Sequence, residues 1–424
     1  MSLREEIDVL IYIEHPSREL DLAALYAYLL AKNHRLKVKL VPVFFRDYET
    51  FTQWDPKVVV FPNYYAPSKG SERTRSFFPK ARFLNLSSEQ IFSRLNFDRK
   101  APKGDFALQH LNYLAWSPAY RDYLIEKGVQ SGKVTVTGNP TYSLYLDPWQ
   151  RRFQKRKELA KAHGLDLTKR WVFFPENYGA AWFSKERREK MIADGADREG
   201  IEANHQTALK SLEEVCRWLH TIPEDIEIIL RPRPATGKEK FMELAGAWLP
   251  KSHPRLKITD DGTVREWILA SDSVVSSYST SLIEAALAGK PIAMAQPFPL
   301  PPSLYHEFYD LVTACRTEEE WQSFLKQETA ADPKALEQWA KANFMAEGDP
   351  VIRVVEWMAE QVKMADQDWQ PSRNLGPKAK FKDMLFKAKR ALKGKGEKRL
   401  ASDDLSPTQA DEAVAVWAAC LKDS

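Results

Sequence analysis

The sequence runs as two successive series of short, largely apolar segments alternating with helix-forming stretches. That repetition limits the fold more than any other feature. In the first series Asp8–Ile13 leads into a stretch that puts Leu20, Ala23, Ala24, Ala27, Leu30 and Ala31 on one helical face. Val38–Phe45, Val58–Phe61, Phe83–Leu86, Tyr113–Trp116 and Val134–Val136 follow, each bounded by polar residues, Pro or Gly. A strand that is apolar at every position is buried on both faces, as strands of a parallel sheet are. The second series starts at Trp171–Phe174 and continues through Ile226–Leu230, Leu256–Ile258, Ser273–Ser276 and Pro291–Met294. Helices are expected over Asn204–His220 and Thr280–Leu287. The pattern predicts two consecutive doubly wound α/β domains, for which 424 residues suffice. Ligands of such sheets bind beyond the carboxyl ends of the strands, so the cleft between two such domains is the expected site. The boundaries fall at 1–165, 166–365 and 366–424, with Gln150–His163 as the linker. Glu319–Phe344 and Pro350–Met364 are expected to finish the second domain.

Charge is unevenly distributed. Lys378–Arg399 holds ten Lys or Arg against Asp383 and Glu397, a balance of +8 within a net +4, leaving −4 for the rest. A slightly acidic body argues against extensive nucleic-acid contact. Phe381, Met384, Leu385, Ala388 and Leu392 recur at helical spacing, with Lys380, Lys387, Lys389 and other cations around them. A weak apolar stripe with a basic remainder predicts a C-terminal basic amphipathic helix lying on an anionic membrane surface through Lys380, Phe381, Leu385, Lys389 and Leu392. A solvated charged helix has the same pattern. Truncation at Lys378 is expected to end membrane binding and leave a folded protein. No run approaches the roughly 18 apolar residues of a membrane span, and the N-terminus does not read as a signal peptide. The expected location is cytoplasmic, peripheral on the cytosolic face of the inner membrane. Cys216, Cys315 and Cys420 are widely spaced and form no metal or disulfide pattern. His205 and His306 are isolated and read as structural or surface residues, so no metal site is expected.

Five segments carry chemistry. Ser271–Pro291 reads as strand, hydroxyl-rich turn and helix, with Ser277, Ser279, Thr280 and Ser281 in the turn and Ser281 and Glu284 at capping-box spacing. Hydroxyls and free N–H groups beside a helix start suit a phosphate leaving group, although an ordinary helix cap uses the same residues. Ile228–Pro234 places Arg231 and Arg233 at the end of a buried strand, where guanidinium groups bind phosphate or carboxylate in bidentate fashion; two surface ion pairs are the alternative. Glu176 and Asn177 follow the first strand of the second series and are candidates for holding the nucleotide or the sugar, with Gly179 permitting close backbone approach. Glu14 follows the first strand of the chain, with Arg18 and Glu19 just beyond it, and Glu89 and Gln90 follow another strand. Glu14 and Glu89 are the catalytic candidates, as base or nucleophile. Arg18, Glu19 and Gln90 are the candidates for acceptor contact, although Arg18 and Glu19 also suit an ordinary first helical turn.

Together these segments resemble GT-B glycosyltransferases that assemble bacterial surface carbohydrates, of the capsule and O-antigen type. Ile228–Pro234 followed by Ser271–Pro291 is similar to the donor half of capsule-type Kdo transferases and teichoic-acid glycerophosphotransferases. Their first motif usually carries a His where Arg233 stands here. Ile11–Asp21, Asn85–Gln90 and Val134–Pro140 resemble, in order, the N-terminal half of surface carbohydrate biosynthesis proteins. The resemblance spans roughly residues 7 to 300. It implies a GT-B fold of two facing Rossmann-like domains with an interdomain cleft. It further implies transfer of a sugar, Kdo or a related acidic sugar among the candidates, from a CMP-, CDP- or UDP-linked donor to a lipid-linked or polysaccharide acceptor. In that reading the donor site comprises Glu176, Asn177, Arg231, Arg233, Ser277, Ser279, Thr280, Ser281 and Glu284. No cofactor or metal is expected, because arginines and a helix end replace the cation. A nucleotide-sugar 2-epimerase on the same fold, or a non-catalytic scaffold with a basic binding tail, are the alternatives.

Overall fold

The computed structural model describes residues 4–43, 47–90, 100–153, 155–233, 236–329, 331–345, 348–365 and 404–422. It divides into two compact units, 1–91 with 100–143 and 343–424, and 92–99 with 144–342. The basic stretch 378–399, with Lys380, Phe381, Leu385, Lys389 and Leu392, lies outside the described residues.

The first unit holds a parallel sheet of six strands: β1 (Glu5–Ile13), β2 (Val38–Pro42), β3 (Trp54–Phe61), β4 (Arg82–Asn85), β5 (Asn112–Ala115) and β6 (Val134–Val136), in the order β2-β1-β3-β4-β5-β6. Its centre is apolar from end to end: Val9, Leu10 and Val58 to Val60 are fully buried. β1 runs between β2 and β3, so the chain reverses its direction of travel across the sheet there. That makes the carboxyl ends of β1 and β3 the topological switch point, where a crevice forms.

The second unit repeats the plan with β7 (Arg170–Pro175), β8 (Ile226–Arg231), β9 (Leu256–Ile258), β10 (Ser273–Ser276), β11 (Ile292–Ala295) and β12 (Thr313–Cys315), ordered β12-β11-β10-β7-β8-β9. Its switch point lies between β7 and β10. The long helix expected from Asn204 runs over Arg198–Trp218, capped by Asp197, whose carboxylate accepts from Gly200 N–H. It buries Ala208, Leu212, Val215 and Trp218 against the sheet.

The C-terminal helices depart from expectation. The helix Pro350–Ala365 belongs to the first unit, not the second, and lays Val351, Val354, Val355, Met358 and Val362 on β3, β4 and the helix Pro16–His34. Arg353 Nη2 donates to Val136 O at 2.7 Å, and Arg82 donates to Gln361 Oε1 at 2.9 and 3.1 Å. At Gly138 a Cβ would come within 2.7 Å of Phe344 O, so glycine there admits the returning chain. A final helix, Pro407–Cys420, packs on the helix Pro16–His34. Trp417 is fully buried, and its indole donates to Asp21 O at 2.7 Å. Truncation at Lys378 therefore removes part of the first unit's packing and is not the clean loss of a tail that the sequence implied. Among the described residues no helix is long and apolar enough to cross a membrane.

Candidate functional site

In the second unit the switch point is built from three loops. β7 ends in Pro175, and Glu176 N–H donates to Arg231 O at 2.9 Å, continuing the ladder one residue further. Asn177 then crosses to the end of β10: its N–H donates to Ser277 Oγ at 3.1 Å and its Nδ2 to Tyr278 O at 2.8 Å. Ser276 Oγ donates to Pro175 O at 2.5 Å. These bonds fix the hydroxyl-rich turn against the β7 loop.

Glu176 is buried, and its two carboxylate oxygens accept from the backbone N–H groups of Tyr178 and, at 3.4 Å, Arg233. Burial pushes its carboxyl up to about 7, the backbone hydrogen bonds and Arg233 opposing. Glu176 thus ties the loops after β7 and β8 together and sets the course of the chain at Arg233. The Arg233 guanidinium rests on Gly179, where a Cβ would lie 1.7 Å from Nη1, so a larger residue there would displace the guanidinium from this position. Among the described residues no carboxylate lies within ion-pair distance of it. An unpaired guanidinium whose charge reaches Tyr278 of the hydroxyl-rich turn is equipped to receive a phosphate.

The raised carboxyl has a thermodynamic consequence. The folded chain holds the Glu176 proton more tightly than the unfolded one, so this contribution to stability is full below about pH 4.5 and is lost as pH rises through 7. The shift corresponds to about 3 kcal/mol. Unfolding free energies of Glu176→Gln and wild type should therefore diverge by about that much between pH 4 and pH 8, the glutamine variant gaining at the higher pH. Parallel curves from denaturant titrations across that range would show that Glu176 does not carry the shift.

Other expected donor residues are differently placed. Arg231 is buried, and its Nη2 donates to Asp260 O at 3.3 Å and Gly262 O at 2.9 Å, so it braces the loop after β9. Ser281 and Glu284 form no capping box. Thr280 is the N-cap of the helix Ser281–Leu287 without a side-chain cap bond, and Ser281 Oγ pairs with Ser279 Oγ at 2.8 Å. The Glu284 carboxylate instead accepts from Tyr145 OH, and burial raises its carboxyl. The signal for Tyr178 and Tyr278, which wall the turn, lay in the motifs but was not read: Tyr178 OH donates to Ala295 O at 2.9 Å, and the two rings meet edge to face. His205 Nδ1 lies 2.9 Å from Ala180 O, a structural role as read.

In the first unit the switch point gathers charge. Glu14 follows β1, and its N–H donates to Glu19 Oε2 at 2.7 Å. Burial raises the Glu19 carboxyl, against the hydrogen bond from Glu14 and the charge of Arg18. Arg18 Nη1 meets Glu89 Oε1 at 3.1 Å, and Lys100 donates to the other Glu89 oxygen. Burial would lift the Glu89 carboxyl, but Lys100 and Arg18 outweigh it and hold it low. Glu14 is half-buried, its oxygen 3.9 Å from His15 Nε2. Sequence reasoning thus brought Glu14, Arg18, Glu19 and Glu89 together and missed Lys100, which carries no motif. Gln90 stands apart: it is buried and bridges backbone, donating to Leu114 O at 3.1 Å and accepting from Trp116 N–H at 2.7 Å.

No family model matches the sequence, and no curated protein does. Solved structures match in fold. The wall teichoic acid polymerase TagF aligns at 9% identity with a TM-score of 0.56, over 84% of this chain and 89% of that one. A TagF variant soaked with CDPG aligns at 10% with a TM-score of 0.54 over the same shares. Anabaena Alr3699/HepE in complex with UDP and glucose aligns at 13% with a TM-score of 0.43, over 84% of this chain and all of that one. At these identities the TagF likeness shows the fold: two Rossmann-like domains of the GT-B type.

Proposed function

We propose that this chain is a glycosyltransferase that moves a sugar from a nucleotide donor to a lipid-linked or polysaccharide acceptor in surface glycan synthesis. One observation carries the reading: on a GT-B fold, the unpaired Arg233 guanidinium lies against Gly179 in the loop after β7, and its charge acts on Tyr278 of the turn after β10, the two strands that flank the switch point of the second sheet. That is where a nucleotide phosphate is held in open α/β sheets. TagF, which shares the fold, has been soaked with CDPG, and a CMP-, CDP- or UDP-linked donor fits the same chemistry here.

As the anomeric carbon–oxygen bond to phosphate breaks, negative charge grows on the phosphate oxygens. Arg233 and the turn hydroxyls stabilise it, a task metal ions perform elsewhere, and transfer is metal-independent in this reading. In the first unit, Glu14 takes the proton of the acceptor hydroxyl as its oxygen bonds to the anomeric carbon. Glu89 is the weaker base because two cations hold its carboxylate. Kdo or a related acidic sugar is the donor group proposed. The basic stretch 378–399 attaches the enzyme to the anionic cytosolic face of the inner membrane, a contact that neutralising its lysines should abolish at low salt.

Incubation with CMP-, CDP- and UDP-sugars, with and without glycan-bearing membranes, tests the activity. Nucleotide release that requires the acceptor supports transfer. Interconversion of the sugar without acceptor makes the protein an epimerase, and inertness toward every donor removes the enzymatic reading.

A further inference from the structure

The second unit holds a cleft of about 540 Å³ beyond the carboxyl ends of β11 and β12, lined by Met294, Gln296, Phe298, Tyr305, Tyr309 and Arg316 among others. No motif of the sequence pointed to it. It adjoins the phosphate-type site through the sheet itself. Ser276, at the start of the turn, pairs with Met294, and the Ala295 carbonyl between Met294 and Gln296 is the acceptor of Tyr178 OH. Tyr309 lies close enough to Tyr278 to contribute, after burial and Glu176, to raising that phenol.

The lining has a definite chemistry. Phe298 and Tyr305 expose 38% and 44% of their surface, large for aromatic side chains. The cleft holds two charged groups. Asp310 accepts from Tyr305 OH. Arg316 donates its backbone N–H to Glu320 Oε2 at 2.5 Å, yet among the described residues its guanidinium has no ion pair or hydrogen bond. Ring faces suit the apolar face of a sugar, Gln296 and Asp310 suit its hydroxyls, and a free guanidinium suits a carboxylate.

Building on the donor site argued above, we propose that this cleft receives the glycosyl group of the donor and that Arg316 selects one bearing a carboxylate. Arg316 is exposed at the rim, so its replacement leaves the core untouched.

The test is calorimetric binding of matched ligands to wild type and Arg316→Gln: UDP-glucuronate against UDP-glucose, and CMP-N-acetylneuraminate against its carboxyl methyl ester. In the nucleotide series the protein accepts, the acidic ligand should bind wild type at least about tenfold more tightly than its counterpart, the scale of a charged hydrogen bond. Arg316→Gln should erase that ratio and keep the affinity for free nucleotide. An unchanged ratio in the variant, or equal affinity for acidic and neutral ligands in wild type, overturns the role of Arg316 with the donor site intact. Loss of free-nucleotide binding in the variant also overturns it, since Arg316 would then serve the phosphate. Failure of every ligand, and of free CMP, CDP and UDP, to bind wild type removes the donor site and this proposal with it.

Discussion

Glu14→Gln is expected to slow glycosyl transfer by about 10²–10⁴-fold, the range for loss of a general base, with nucleotide affinity and fold unchanged. The local structure favours a clean result. The end of β1 is fixed by the Glu14 N–H bond to Glu19 Oε2, which the substitution does not touch. Glutamine keeps the shape and removes the basic oxygen. Glu89 cannot readily substitute, because Arg18 and Lys100 hold its carboxylate in the charged, weakly basic form. Single-turnover transfer from a bound donor checks this. A rate within about threefold of wild type would clear Glu14 of the role of base.

The second large effect is structural. Trp417→Ala should destabilise the first unit by about 3–5 kcal/mol, the usual cost of truncating a fully buried large aromatic. The side chain is 0% exposed and its N–H donates to Asp21 O, so truncation leaves a cavity and removes that hydrogen bond. Trp417→Phe should recover most of the loss, falling short by about 1 kcal/mol for the missing hydrogen bond. Urea titration of the three proteins measures this. A loss below about 1 kcal/mol for the alanine variant would mean that the helix Pro407–Cys420 contributes little to the unit. The same reasoning governs how membrane attachment is examined: Lys→Gln substitutions within 378–399 remove charge and leave Trp417 in place, whereas truncation removes both.

The strands were legible because parallel strands buried on both faces leave an apolar run, as Val9–Ile13 and Ile228–Leu230 do. β12 escaped notice because its three residues, Thr313–Cys315, are too short and too polar to stand out. The helix Pro350–Ala365 was legible as a helix, but an amphipathic stripe says only that something covers it, not which sheet. The site shows the same division. Adjacency to a strand end correctly gathered Glu14, Arg18 and Glu89, and likewise Glu176, Asn177 and Ser277, because strand order brings such ends together. It failed wherever a distant partner took the side chain. Arg231 turns to the Asp260–Gly262 loop, Glu284 to Tyr145, and Gln90 to the backbone of Leu114 and Trp116. Sequence spacing holds no information on such contacts.

Binding of a nucleotide phosphate to the second unit through Arg233 is tested most directly by calorimetric titration. CMP, CDP, UDP and GDP are titrated into wild type, Arg233→Ala and Arg231→Ala. Saturable one-to-one binding of at least one nucleotide to wild type is expected. Arg233→Ala should weaken it by about 10- to 100-fold, the equivalent of a charged hydrogen bond of about 1.5–3 kcal/mol. Arg231→Ala, whose side chain braces the Asp260–Gly262 loop, should lower stability and leave nucleotide affinity near that of wild type. Equal affinities in wild type and Arg233→Ala, or no binding of any nucleotide to the wild-type protein, would contradict the account.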